Sequence, residues 1–342
     1  MKRAIVILAI VVIGGLLWSV FAPCSFGEAE EVVFRIEKGE GSREIALNLQ
    51  KEGLVVWGPL FRLYVLLSGQ AGELQAGTYS LSKSMNMPQM VSKFASGEVL
   101  KETITIIEGW NLRDIGFYFE NKGMFQAEEI WETAGFPAVD YAAATDLPEP
   151  VDFSHDYDFL KSKPDRVGLE GFLFPDTYEI NRDATVRQVI KKMLDNFDRK
   201  LTPELREEIT RRGKTILDIV TMASLLEKEV RTKEDKEIVS GIFWKRIKLG
   251  MPLEGCATIA YIKGVDQWRY TFEDTRTESP FNTYINYGLP LGPVSNPGME
   301  SILAAIYPKS SEYLFFLSTP DGKTVYSKTL EEHNTNKAKY LE

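Results

Sequence analysis

The stretch TILDIVTMASLLEKEVRTKEDKEIVSGIFWKRIKLG, residues 215–250, reads as two helices and the break between them. Thr215 followed by Asp218 forms a capping-box pattern, in which hydroxyl and carboxylate satisfy the free N–H groups of a helix start. Thr232 with Asp235 repeats it. Between the two starts, Ile216 to Leu226 is apolar on almost every face, which implies a buried helix. Glu227 and Glu229 interrupt that run at its end, and a buried carboxylate is unfavourable unless neutralised or paired. Glu229 stacks at helical spacing on Met222, Leu225 and Leu226, in the last turn, where the negative end of the helix dipole opposes a carboxylate. Both effects favour the protonated acid. Lys228, Arg231 and Lys233 pull the other way. Glu227 faces Val220, Ala223 and Ser224, so spacing separates the two glutamates only weakly. An exposed helix end with solvated charges is the competing reading.

Upstream, the same punctuation continues. Val32 to Ile36 alternates as a strand, Ser42 is placed to cap a helix reaching Gly53, a second helix covers Pro59 to Leu67, and Ala76 to Leu81 is extended, giving a β-α-α-β order. A helix from Pro88 stops at Gly97, and Thr103 to Ile107 alternates as a strand into the turn Glu108-Gly109-Trp110. Asn111 with Asp114 opens a helix that Gly123 ends, and Thr202-Pro203 opens another that Gly213 closes. Residues 140–167 are polar and weakly patterned, as in a surface excursion. Downstream, Tyr313 to Ser318 and Thr324 to Ser327 bracket Pro320-Asp321-Gly322 as a hairpin, and Thr329 with Glu332 caps a last helix. Without regular β-α alternation, the fold class is α+β.

At the N-terminus, Ala4 to Phe21 is uncharged and almost wholly apolar, long enough to cross most of a bilayer core of roughly 30 Å. Ala22 followed by Pro23 is a poor cleavage site, so the segment reads as a retained anchor. Cys24 lacks the small residue that usually precedes a lipidated cysteine. Lys2 and Arg3 precede the span and an acidic linker, Glu28 to Glu31, follows it, so the positive-inside bias puts the N-terminus in the cytoplasm and the bulk outside. The organisation expected is a cytoplasmic N-terminus at 1–3, a transmembrane anchor at 4–22, a small module at 32–100 and a larger domain at 101–342.

The net charge of −9 over 342 residues disfavours nucleic acid, which is bound by concentrated Lys and Arg. The only cysteines, Cys24 and Cys256, indicate no disulfide framework, and Cys256 reads as a small packed side chain. The only histidines, His155 and His333, are far apart and form no ligand-spaced cluster, so neither a zinc site nor a Ser-His-Asp triad is indicated. No glycine-rich phosphate loop follows a strand. Carboxylate chemistry remains, in which one acid of raised pKa protonates a leaving oxygen. Ser279 to Gly298 (SPFNTYINYGLPLGPVSNPG) adds amides and tyrosines in a proline-stiffened loop suited to a sugar ring. Leu169 to Ile180 (LEGFLFPDTYEI) reads as core packing and a cleft wall.

Taken together, EGW at 108–110, LEGFLFPDTY at 169–178, MASLLEKEV at 222–230, FNTY at 281–284, GLPLGPVSNPG at 288–298 and EEHN at 331–334 resemble the YceG-like family of murein lytic transglycosylases. The β-α-α-β stretch is similar to that family's LysM-like module, associated with peptidoglycan binding. The resemblance implies endolytic cleavage of the β-1,4 bond between N-acetylmuramic acid and N-acetylglucosamine in nascent strands, leaving a 1,6-anhydro end and terminating elongation. One residue acts as acid and then as base, and no cofactor or metal is implied. The family's catalytic glutamate falls on the second Glu of EKE, here Glu229. Ser224, Glu227, Glu254, Thr258, Asn282, Tyr284 and Asn296 are the expected substrate contacts. The implied partners are peptidoglycan strands and cell-wall synthases of the penicillin-binding class, at the cytoplasmic (inner) membrane. After Gly250-Met251 the family usually has Gln and then Asp-Pro before a threonine. This chain has Glu254 and Cys256-Ala257 instead, and Thr258 alone carries over. A hydrolytic muramidase and a peptidoglycan-binding scaffold with weak or lost activity are the alternatives.

Overall fold

The computed structural model describes residues 2–26, 30–267 and 270–341; Met1 and the first half of the expected acidic linker, Glu28 and Ala29, lie outside them. In chain order the elements are α1 (Lys2–Phe21), β1 (Glu31–Ile36), α2 (Ser42–Lys51), α3 (Gly58–Leu67), β2 (Gly77–Ser82), α4 (Met87–Ser96) and β3 (Lys101–Thr105). There follow α5 (Leu112–Asn121), α6 (Ala127–Ala134), β4 (Thr177–Asn181), α7 (Val186–Lys200), α8 (Pro203–Arg211), α9 (Ile216–Glu229) and α10 (Lys233–Lys248). The last are α11 (Cys256–Lys263), α12 (Met299–Ile306), β5 (Phe315–Ser318), β6 (Thr324–Ser327) and α13 (Leu330–Tyr340). Helices mixed with paired short strands, β1-β2, β3-β4 and β5-β6, make the class α+β. The chain divides into two compact units, Met1–Ile104 with Glu179–Ala184, and Thr105–Tyr178 with Thr185–Glu342.

In the first unit, β1 and β2 pair antiparallel, with Val32 opposite Leu81, Phe34 opposite Tyr79 and Ile36 opposite Gly77. Alternation along β1 turns Phe34 and Ile36 to one face, where they are buried with Ile45, Leu49, Phe61, Val65, Met90 and Phe94 of the helices. Phe94 sits among aromatic rings, its centroid 4.9 Å from Tyr79 and 6.5 Å from Phe61 in edge-to-face contact. Gly41, not Ser42, is the N-cap of α2. There the Glu44 carboxylate accepts from the Gly41 N–H at 3.0 Å, so the side-chain cap comes from the first turn. α1 is long and apolar enough to cross a membrane. Only its C-terminal end joins the core, through Val20. There Phe21 O accepts from Asn86 Nδ2 at 3.3 Å.

The second unit is built around α9. Ile219 to Leu226 are all buried, as an all-round apolar helix requires, and α8, α10, α11 and α12 pack on it. Both expected caps form: Thr215 Oγ1 accepts from Asp218 N at 3.0 Å, and Thr232 Oγ1 from Asp235 N at 3.1 Å. The expected hairpin is β5-β6, with Leu317 opposite Val325. Residues 140–167 depart from the expectation of a surface excursion. They carry a short 3₁₀ turn, Asp158–Ser162, and bury Phe153, Tyr157, Phe159, Leu160 and Val167. Phe159 lies 4.8 Å from Phe197 of α7, so tertiary packing supplies the order that no periodicity announced. Helices α6, α7, α11 and α12 also had no reading in the sequence.

Candidate active site

Glu229 ends α9, and its side chain reaches the first turn of α11. There Ala257 N–H donates to Glu229 Oε1 at 3.3 Å, and Cys256 N–H also contributes. A helix N-terminus favours the anion, so the local dipole acts opposite to the one expected from the end of α9 alone. Burial is the stronger influence. It pushes the Glu229 carboxyl up to about 7, aided by the negative charge of Asp266. The approach is close: a Cβ on Gly255 would stand 3.3 Å from Glu229 Oε1. Part of the carboxylate stays open to two grooves that share it, of about 390 and 570 Å³. One is walled by Glu108, Arg231 and the hairpin turn from Ser318 to Gly322. The other is walled by Arg246, Glu254, Cys256, Tyr284 and His333.

Glu227, two residues earlier, is differently placed. Its Oε1 pairs with Lys236 Nζ at 3.0 Å, with both side chains nearly buried. Its Oε2 accepts from Gly298 N–H at 3.0 Å and from Ser301 Oγ at 2.7 Å, at the start of α12. A carboxylate so paired is tied to structure, whereas Glu229 has only weak backbone donors. The geometry therefore separates two residues that sequence spacing could not.

The other expected contacts divide into two groups. Ser224, Thr258, Asn282 and Asn296, expected as substrate contacts, have no accessible surface in the structure. Each fixes backbone instead. Ser224 Oγ accepts from Val294 N–H at 3.0 Å, and Ser224 O accepts from Ser295 Oγ at 3.1 Å, which ties the proline-rich loop to α9. Thr258 Oγ1 donates to Gly255 O at 2.8 Å. Asn282 Nδ2 donates to Thr275 O and Thr277 O at 3.0 and 2.8 Å. Asn296 Nδ2 donates to Trp110 O and Glu170 Oε1, both at 3.0 Å, while its Oδ1 accepts from Leu173 N–H at 2.9 Å. One buried amide thus joins three separate motifs. Glu227 is tied to structure too, at Gly298 and Ser301, but it also lines the first groove. Glu254 and Tyr284, by contrast, reach the groove beside Glu229.

Glu254 adopts the left-handed conformation at φ 55°, uncommon for a residue with a Cβ. Its N–H donates to Thr283 O at 3.1 Å, and its Oε2 pairs with the buried Arg246 at 2.6 Å. Cys256 is exposed in the groove, not packed as expected, with Sγ 3.2 Å from Tyr284 Oη. Sequence reasoning missed Thr283, whose Oγ1 accepts from Gly255 N–H at 3.0 Å, and Asp266, 3.8 Å from Lys228. Neither carries a local signal, because each acts across the fold. Lys236 did have one. It lies on the same α10 stripe as Val239, Ser240 and Phe243, all buried, and a lysine on such a stripe needs an acid partner. Glu170, in the expected cleft wall, is buried, and desolvation raises its carboxyl to about 8; it accepts from Leu112 N–H at 3.0 Å.

A carboxylic acid poised near neutrality on the wall of an open polar groove, with its neighbouring glutamate neutralised by a lysine, has the chemistry that proton transfer uses. The chain belongs to the YceG-like family, whose sequence profile matches residues 34–339. It is 31% identical over 325 residues to the endolytic murein transglycosylase of Bacillus subtilis (strain 168), covering 94% of this chain and 88% of that one. It is 30% identical over 336 residues to the protein of the same name from Streptococcus pneumoniae serotype 2 (strain D39 / NCTC 7466), covering 93% of this chain but 60% of the relative. The 2.6 Å crystal structure of the yceG-like protein lmo1499 from Listeria monocytogenes is similar, with a TM-score of 0.58 at 31% identity. That match covers 90% of this chain and 100% of the other.

Proposed function

We propose that this chain is a membrane-anchored, endolytic peptidoglycan lytic transglycosylase in which Glu229 is the single acid/base. The observation that carries the reading is the Glu229 carboxyl, raised to about 7 by burial yet open to a groove. At neutral pH a large fraction is protonated, as an acid toward a glycosidic oxygen requires. Protonated Glu229 gives its proton to the leaving oxygen of the β-1,4 bond between N-acetylmuramic acid and N-acetylglucosamine as the C–O bond breaks. The resulting carboxylate, steadied by the Ala257 and Cys256 N–H groups at the start of α11, then takes the proton of the C6 hydroxyl. The C6 oxygen closes on C1 to give the 1,6-anhydro end. No water is consumed, and the residue returns to its starting state. Glu254 and Tyr284 line the groove as substrate contacts, and Ser224, Thr258, Asn282 and Asn296 hold its walls.

The names of the Bacillus and Streptococcus relatives support this activity class, that of a lyase acting on murein. The β1-α2-α3-β2 arrangement supports reading residues 32–100 as a LysM-like peptidoglycan-binding module, ahead of a catalytic domain at 101–342. α1, with Lys2 and Arg3 at its N-terminal end, supports a single-pass anchor at 4–22 with residues 1–3 in the cytoplasm. The catalytic domain then faces nascent strands outside the cytoplasmic membrane, where cell-wall synthases work. Glu108 favours one competing reading, because it lines the same groove as Glu229. It offers the second carboxylate that a hydrolytic muramidase uses, ionised, as base or nucleophile, while burial and the neighbouring Glu227 charge raise its carboxyl and oppose that form. Digestion of purified, uncrosslinked glycan strands separates the two. Anhydro ends that vanish in Glu229→Gln support the transglycosylase, and reducing muramic acid ends establish the hydrolase. Unchanged cleavage by Glu229→Gln rejects both.

A further inference from the structure

The outward stripe of α3 is unpartnered and apolar. Leu63, Leu66 and Leu67 follow one another at helical spacing and are 50%, 52% and 79% exposed, while the opposite face buries Leu60, Phe61 and Val65. A helix apolar on both faces meets an apolar environment on both. Scattered exposed leucines are ordinary, but this stripe is contiguous. Val56 and Trp57 extend it at the helix start, and Leu47 of α2 faces it across a groove whose polar members are Arg43 and Arg62.

We infer that this face lies in the interfacial layer of the bilayer crossed by α1, with Arg43 and Arg62 at the phosphates of anionic lipids. The inference rests on α1 being a membrane anchor. Two observations select lipid over other occupants. First, α1 packs against α3 and α4, its Val20 shares their core, and Ser25 N–H just beyond it donates to Lys83 O at 3.0 Å. The unit is thus fastened to the end of the span without a free tether. Second, at 1.5 Å per residue the helix Lys2–Phe21 is about 30 Å long, the thickness of the hydrocarbon core, so what packs on its end lies at headgroup depth. Trp57 and the arginines suit that depth. Indole favours the membrane–water boundary, and arginine stems cover apolar surface while their heads reach phosphate. A polysaccharide would leave the leucine stripe uncovered.

The test uses the full chain, reconstituted into phosphatidylcholine–phosphatidylglycerol vesicles, with Cys24→Ser and Cys256→Ser and one environment-sensitive fluorophore on Leu66→Cys or Ile10→Cys. Acyl-brominated lipids report contact with the bilayer, and iodide reports exposure to water. The expected result is that the Leu66→Cys label emits to the blue, loses most of its emission to brominated lipid and resists iodide. A Leu66→Cys label left bright by brominated lipid, with the Ile10→Cys label quenched, overturns the inference while leaving the anchor intact. If the Ile10→Cys label is itself unquenched, the anchor fails and the inference with it. Cleavage of purified strands by the unsubstituted chain is read separately, so the catalytic proposal stands or falls by its own measurement.

Discussion

Two glutamates on one helix end differ by a single feature, the company each keeps. Glu227 is saturated by a lysine and two donors, whereas Glu229 meets two backbone N–H groups and a groove. Replacing Glu229 with Gln keeps the shape and removes the transferable proton, so strand cleavage is expected to fall by about 10²–10⁴-fold with the fold retained, measured as anhydro ends per unit time. Because the reaction starts from the protonated form, the wild-type rate is expected to fall as pH rises through about 7. Stability follows the same sign. Burial raises Glu229 to about 7 and Glu170 to about 8 from an ordinary 4.5, so the folded state holds more protons across that window. Stability therefore declines as pH climbs from about 4.5 to about 8. Thermal unfolding of Glu229→Gln against pH should show a shallower decline ending near 8. An unchanged slope would mean that Glu229 titrates normally.

At the scale of elements, the site is a junction of helix ends: the end of α9, the start of α10, and the starts of α11 and α12. Lys236 on α10 holds Glu227 of α9, which in turn holds the N–H of Gly298, the N-cap of α12. Lys236→Met leaves a buried carboxylate without its counter-charge, which is expected to lower stability by about 3–5 kcal/mol in denaturant unfolding. The double variant with Glu227→Gln should recover much of that loss, since no buried charge is then left alone. Gly255 carries the opposite kind of sensitivity. A methyl group in Gly255→Ala would crowd Glu229 Oε1 at 3.3 Å, so kcat is expected to drop well before Tm moves. Equal losses in both would assign Gly255 to packing alone. The caps of α9, α10 and α13 were legible because their signals are local, a hydroxyl three residues ahead of a carboxylate. α11 and α12 begin at Gly255 and Gly298, which have no side chain to announce a start.

For the whole molecule, the long apolar helix and the candidate acid fall in different units. The first carries the apolar helix, and the second carries the acid and its grooves. Deleting residues 2–17 removes most of the span and keeps Val20 in the core of the first unit. That variant is expected to leave the membrane fraction and still cleave purified strands in solution. Loss of cleavage with folding intact would place part of the catalytic machinery in the anchor. The apolar span, the α+β class, the caps that bracket the EKE turn and the family motifs were all readable from sequence, because each depends on neighbours within a turn or two of the chain. The tertiary structure alone decided which glutamate is free and which is tied. It also placed Asn296, Ser224 and Thr258 behind the groove wall and set Glu229 on the start of α11. These outcomes depend on contacts between residues from nine to more than a hundred positions apart, where burial and hydrogen-bond supply are set by packing and leave no periodic trace in the chain.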